Sequence, residues 1–171
     1  MKKQIFPYGR FFLLLIATSF AVKSKANLNS IEPEFYQITI YHFKDSAQEK
    51  MIDKYLKAAL LPALHRAGVN TIGVFKAMAN DTIADKLLYI FMPVQSPQQL
   101  LVLSGQLDAD SVYHHAGKEY INAVYTNPPY TRMESILLKA FSMAPKMQLP
   151  ALKSPPKEHI YELRSYESAT E

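Results

Sequence analysis

The chain has no cysteine, no tryptophan and only 5 glycines in 171 residues. Without cysteine there is no disulfide scaffold, no thiolate metal site, no cysteine nucleophile and no lipid-modified lipobox cysteine. So few glycines leave little material for phosphate-cradling loops, and no G-x-S-x-G, Walker or G-x-G-x-x-G run occurs. A carboxylate ladder for a metal is also missing. With 49% hydrophobic and 20% charged residues, disorder is excluded as the overall state. The length suits one domain with an appendage rather than two full domains.

Charge of one sign is scarce once the first 26 residues are set aside. Met1-Lys2-Lys3 and Arg10 form a positive start, and Phe11 to Val22 (FFLLLIATSFAV) is an uncharged apolar run of twelve residues. Ser24-x-Ala26 then supplies small residues at −3 and −1, the pattern of a signal peptide cleaved near Ala26. Twelve residues fall short of the ~20 that span a bilayer as a helix, so a permanent anchor is the weaker reading. The leader holds five basic residues and no acid, which leaves 14 basic against 15 acidic from Asn27 onward. The formal +4 therefore belongs to the leader, and nucleic-acid binding loses its electrostatic support. The expectation is an exported protein, periplasmic or extracellular, with no membrane association after cleavage.

Beyond the leader, Phe35 to Phe43 (FYQITIYHF) alternates as a strand, with Tyr36, Ile38, Ile40 and His42 on one face. Ser46 and Glu49 are spaced as a capping box for a helix carrying Ile52, Tyr55, Leu56, Ala59, Leu60, Ala63 and Leu64. Pro62 predicts a kink or a break after Leu61, and Gly68 a left-handed stop. Val69–Ala79 and Lys86–Val94 read as two strands joined at Asn80-Asp81; the second is almost continuously apolar, as for a strand covered on both faces. Ser96-Pro97 opens another helix with Leu100, Leu103 and Leu107 as its stripe. A further helix places Tyr113, Ala116 and Tyr120 on one side, and a Pro-Pro turn leads into a last strand, Thr131–Phe141. The order β-α-β-β-α-(α)-β is the split βαβ, ferredoxin-like arrangement: α+β, an antiparallel sheet with helices on one face. Its other face needs cover, which a second sheet would supply by closing a barrel.

Residues 144–158 hold a proline- and lysine-rich stretch that reads as a linker. Beyond it, Ile160-Tyr-Glu-Leu-Arg-Ser-Tyr166 repeats the pattern of Phe35–Tyr41 and reads as the first strand of a second copy, cut short in residues 159–171. The domain itself would then be residues 27–143. YELRSYE at Tyr161–Glu167, YQITIYHF in the first strand, LKAALLPALHRAGVNTIGVF at Leu56–Phe75 and AGKEYINAVYTNPPYTRMESILL at Ala116–Leu138 resemble the NIPSNAP family, in particular exported bacterial members with tandem domains. The resemblance covers about residues 33–171 and implies a dimeric α/β-barrel fold. It implies pairing as a homodimer or with a missing second repeat. No catalytic set and no cofactor comes with it.

Among chemistry-bearing residues, His114-His115 diverge by about 100° on a helix and cannot easily share a metal. His42 shares a strand face with Tyr36, Ile38 and Ile40, where it is either a base or orienting group in an apolar cavity or a rim histidine. His65 and Arg66 read as C-terminal charges on a helix dipole. Tyr120, Asn122, Tyr125, Asn127, Tyr130, Arg132 and Glu134 combine aromatic bodies with hydrogen-bonding groups. That mix suits a polar small-molecule pocket or, equally, the needs of a Pro-Pro turn with Arg132 and Glu134 as an ion pair. His42, Tyr120, Asn122, Tyr130, Arg132 and Glu134 are the candidate ligand-binding residues; no metal site is expected. The functional expectation is a module binding a small apolar or aromatic molecule in a barrel cavity. The alternatives are a cofactor-independent enzyme, of monooxygenase or isomerase type, and an assembly role through the Tyr161–Tyr166 segment.

Overall fold

The computed structural model describes residues 32–155, 158–166 and 169. The leader read in residues 1–26 lies outside the described residues. Four strands form one antiparallel sheet: β1 (Phe35–Phe43), β2 (Gly73–Lys76), β3 (Lys86–Val94) and β4 (Arg132–Lys139). Their order, β2-β3-β1-β4, is the ferredoxin-like one, with β1 central and paired to β3 and β4. The helices α1 (Ser46–Tyr55), α2 (Leu61–Arg66), α3 (Pro97–Ala109) and α4 (Ser111–Ile121) lie on one side. Among the described residues no helix is long and apolar enough to cross a membrane.

Strand alternation sorts the sheet into two faces. Tyr41, Phe43, Leu88 and Ile90 point to the helices and bury with Ile52, Tyr55, Leu56 and Ala59. A second cluster joins Met92 and Val94 to Leu64, Val69 and Leu103. Burying side chains of this size stabilises by roughly 1.5–3 kcal/mol each, so the helix face dominates the stability. The other face carries Tyr36, Ile38, Ile40 and His42 of β1, facing Pro93, Phe91, Tyr89 and Leu87 of β3.

Asp45, not Ser46, caps α1: its carboxylate accepts from the amides of Ala47 and Gln48, both at 2.9 Å. An aspartate one residue earlier does the same chemistry and adds a negative charge at the dipole's positive end. Pro62 produces no loose break. A π turn over Leu56–Leu60 precedes it, and the Leu61 amide reaches back five residues to the Leu56 carbonyl. The wider turn accommodates a ring that an α-helical register would clash with. Gly68, at φ 88°, ends α2 as expected, with Val69 N–H on the Leu64 carbonyl at 2.9 Å and Gly68 N–H on that of His65 at 3.0 Å.

β2 is shorter at both ends than the eleven-residue span read at Val69–Ala79: it begins only at Gly73, after Val69 has closed the end of α2, and Met78–Asp81 coil into a 3-10 turn. Asn80 holds that turn: its side chain donates to the Leu87 carbonyl, which also accepts from the Ala77 amide at 3.1 Å, and accepts from the Leu87 amide, at 2.9 and 2.8 Å. The last strand likewise spans Arg132–Lys139 rather than Thr131–Phe141. Residues 160–166, read as a strand, form none here; they run irregularly past β2, with the Tyr161 ring 5.0 Å from that of Phe75.

Glu34 organises the chain on either side of the domain. Its backbone carbonyl accepts from Ala140 and its amide donates to Pro145, both at 2.8 Å. Its carboxylate accepts from the Met147 amide at 3.0 Å. The segment after β4 is thereby turned back over the sheet face that lacks helices.

Candidate functional site

On that open face the chain builds a cleft of about 630 Å³. Ile38, Phe75, Tyr89 and Phe91 of the sheet form its floor, and Met147–Pro150 with Tyr161–Leu163 wall it in. The register explains the aromatic floor: Tyr89 stands opposite Phe75, and Phe91 opposite Gly73. Tyr36 extends the row by stacking on Phe91, with ring centroids 5.3 Å apart. Gly73 leaves a gap in the row, into which the Phe75 ring folds. Such a concave, mainly apolar lining with a few polar groups is the usual form of a small-molecule site. Lys76 also lines it, but its ammonium is held by Glu49 and Asp53 at 2.7 Å each.

The candidate residues read from the sequence divide between the two faces. His42, Glu134 and Arg132 come together on the open face, beyond the cleft. His42 Nδ1 lies 2.9 Å from Asp85 and Nε2 2.9 Å from Glu134, whose Oε1 is 3.2 Å from Arg132. The strand pairing dictates this, since His42 faces Arg132 directly and Glu134, opposite Ile40, is the next β4 residue on the same face. With carboxylates on both ring nitrogens, both nitrogens donate and the imidazolium is favoured. The hydrogen bond that His42 donates to Asp85, then that to Glu134, lifts the pKa above its ordinary 6.5, against the opposing effect of partial burial. The geometry therefore makes His42 a cation in an ion-pair chain rather than a free base. Asp85, in the turn before β3, was not singled out in the sequence; only the folded turn brings it to His42.

Tyr120 and Tyr130 sit on the opposite side, under the helices. Tyr120 stacks on Tyr55 with centroids 3.8 Å apart, and its hydroxyl donates to that of Tyr41 at 3.2 Å. Tyr130 packs against Tyr41 edge-on at 5.6 Å. Burial pushes the Tyr41, Tyr55 and Tyr120 hydroxyls above the ordinary tyrosine value, with neighbouring tyrosines reinforcing the shift at Tyr55 and Tyr120. Asn122 belongs to neither group and closes α4 as its C-cap, exposed to solvent. The single polar pocket envisaged from these residues is thus two separate constellations.

His114 places its Nε2 3.0 Å from the Asp108 carbonyl. Arg66 pairs with Asp110, which caps α4 by accepting from the Tyr113 amide at 3.0 Å. Among the described residues no group of three or more His, Asp or Glu is arranged to hold a metal.

Comparison with known proteins agrees on the architecture. A NIPSNAP family protein of unknown function from Agrobacterium tumefaciens aligns with 68% of this chain and 96% of its own, at 13% identity and a TM-score of 0.51. A second NIPSNAP family protein from the same organism aligns over 67% of this chain and 91% of its own, at 13% identity and a TM-score of 0.50. No family model matches the chain, and no curated protein does. The fold is NIPSNAP-like.

Proposed function

We propose that this NIPSNAP-like domain is a small-molecule-binding module of an exported protein, and that it holds an uncharged aromatic or apolar ligand in the open-face cleft. The aromatic floor of Phe75, Tyr89 and Phe91 in a cleft of about 630 Å³ carries the reading. Planar rings stack favourably on such a floor, and each offset or edge contact contributes roughly 0.5–1.5 kcal/mol beyond area burial. Lys76 offers no net attraction for an anion, because Glu49 and Asp53 already neutralise it. The lining pairs no nucleophile with a base, and both nitrogens of His42 are engaged outside it, so binding rather than turnover is the function supported.

The half of the open face formed by β1 and β4 stays bare: Ile136 and Leu138 are 37% and 42% exposed. A second copy, or a second repeat of the domain, would cover them and complete a barrel. Native mass spectrometry of the purified chain tests stoichiometry and bound small molecules together. Titration with the neutral fluorophore N-phenyl-1-naphthylamine tests the floor. A saturable site weakened at least tenfold by Phe91→Ala, and also by the milder Phe75→Leu, supports the proposal. Binding that neither substitution alters would sink it.

A further inference from the structure

The helix face of the sheet holds a second concavity, separate from the open-face cleft, of about 390 Å³. Gln37, Thr39 and Ser135 lie along its floor on β1 and β4, and Leu64, Leu103 and Leu107 form the opposite wall. The helices cover β3 and most of β1 but stop short of β4, where Met133 and Leu137 remain 48% and 45% exposed. The concavity therefore opens sideways along β4.

Its composition is unlike the rest of that face. Where strands meet helices the expected residues are apolar, as at Tyr41, Phe43, Leu88 and Ile90. Gln37 and Thr39 break the pattern while facing leucines. The Gln37 amide nitrogen donates to the Ser135 hydroxyl at 3.0 Å, and the amide oxygen accepts no bond among the described residues. No charged side chain lines the space. A carboxylate or ammonium entering it would lose hydration without a counter-ion, at a cost far above that of a hydroxyl.

We propose that this groove is a second binding site, for an uncharged amphiphile whose aliphatic body lies on the leucine wall and whose hydroxyl or amide head meets Gln37 and Ser135. From Gln37 to Tyr41 the floor runs roughly 13 Å, from a strand rise of about 3.3 Å per residue, which suits a medium-length alkyl chain.

The methionines separate this site from the cleft. Met92 and Met133 line the groove, whereas Met78 and Met147 line the open-face cleft. With 13C-methyl-methionine labelling of the purified chain, 1-decanol should shift Met92 and Met133, and those two shifts should persist unchanged in the cleft variant Phe91→Ala, whatever the cleft methionines Met78 and Met147 do. Decanoate and decylammonium should bind at least tenfold more weakly. Gln37→Leu should weaken 1-decanol at least fivefold, and Ser135→Leu, which fills the groove from an exposed strand position, should abolish the Met133 response. Shifts confined to Met78 and Met147 would assign the alcohol to the cleft and overturn the groove site. Equal binding of decanoate, or no shift at any of the four methyls, would overturn it as well.

Discussion

The Phe75 ring lies directly over Gly73, two residues earlier on the same strand face; a methyl group on Gly73 would sit 2.4 Å from Phe75 Cε2. The glycine is there for the ring, and the ring is part of the cleft floor. Gly73→Ala therefore forces the far end of Phe75 to swing, which a side chain can do cheaply. The gain from replacing a strand glycine, about 0.5–1 kcal/mol, offsets much of the cost. The expected result is a thermal midpoint nearly unchanged with at least a fivefold loss of N-phenyl-1-naphthylamine affinity. A loss of several kcal/mol on denaturant unfolding would show that the backbone, not the ring, gives way.

His42 sets a pH dependence whose sign is fixed by its partners. The folded pKa is raised above 6.5, so the stabilisation is complete below that value and fades as pH climbs through the folded pKa. His42→Ala should cost about 1–2 kcal/mol near pH 6, in the range for hydrogen bonds to charged groups discounted for solvent. At pH 9 the cost should shrink to a fraction of that. Urea unfolding at the two pH values measures it, and a penalty that grows with pH contradicts the ion-pair chain. Glu134→Gln and Asp85→Asn should each bring the His42 titration, followed by NMR, back toward its ordinary range.

Tyr41, Tyr55 and Tyr120 should ionise above the ordinary tyrosine range. Their folded pKa values are raised, so the neutral hydroxyls stabilise the fold below the unfolded value near 10 and that contribution is lost above it. Absorbance at 295 nm should rise in two stages as pH increases, the second coinciding with unfolding seen by circular dichroism. A single stage completed while the fold persists would contradict the buried cluster. Tyr120→Phe, which leaves the Tyr41 hydroxyl without its donor, should cost about 1–2 kcal/mol.

Glu34→Gln tests the anchoring of the segment over the cleft. The carboxylate's bond from the Met147 amide weakens to a neutral one, while the backbone bonds to Ala140 and Pro145 persist. Global stability should fall by less than about 1 kcal/mol, and hydrogen exchange at Met147 should speed up at least threefold. Unchanged protection there would mean that the side chain does not hold the segment.

The strands β1 and β3 were legible to the residue, because period-two alternation and continuous burial are local signals. The ferredoxin-like order followed from them. What escaped were features decided across the fold. Asn80 holds the turn after β2 by bonding to Leu87, a partner seven positions away that only the turned chain presents. The π turn before Pro62 has no periodic signature that separates it from a kink. The polar residues of 120–134 looked like one cluster because they are close in sequence. Tyr120 reaches the helix side from α4 and Tyr130 from the loop after the Pro-Pro turn, whereas strand alternation in β4 turns Arg132 and Glu134 to the other face. His42 was found by its strand face, but Asp85, forty-three positions on, had no mark of its own.

The bonds from Glu34 to Ala140 and Pro145 fasten the domain's entrance to its exit. A short peptide could bridge those two points, and the chain could be opened instead at Tyr125, which is fully in solvent between α4 and β4. Such a circularly permuted protein would keep every strand pairing. The sheet would differ only in the order in which its strands leave the ribosome, while the cleft would lose the walls formed by Met147–Pro150 and Tyr161–Leu163.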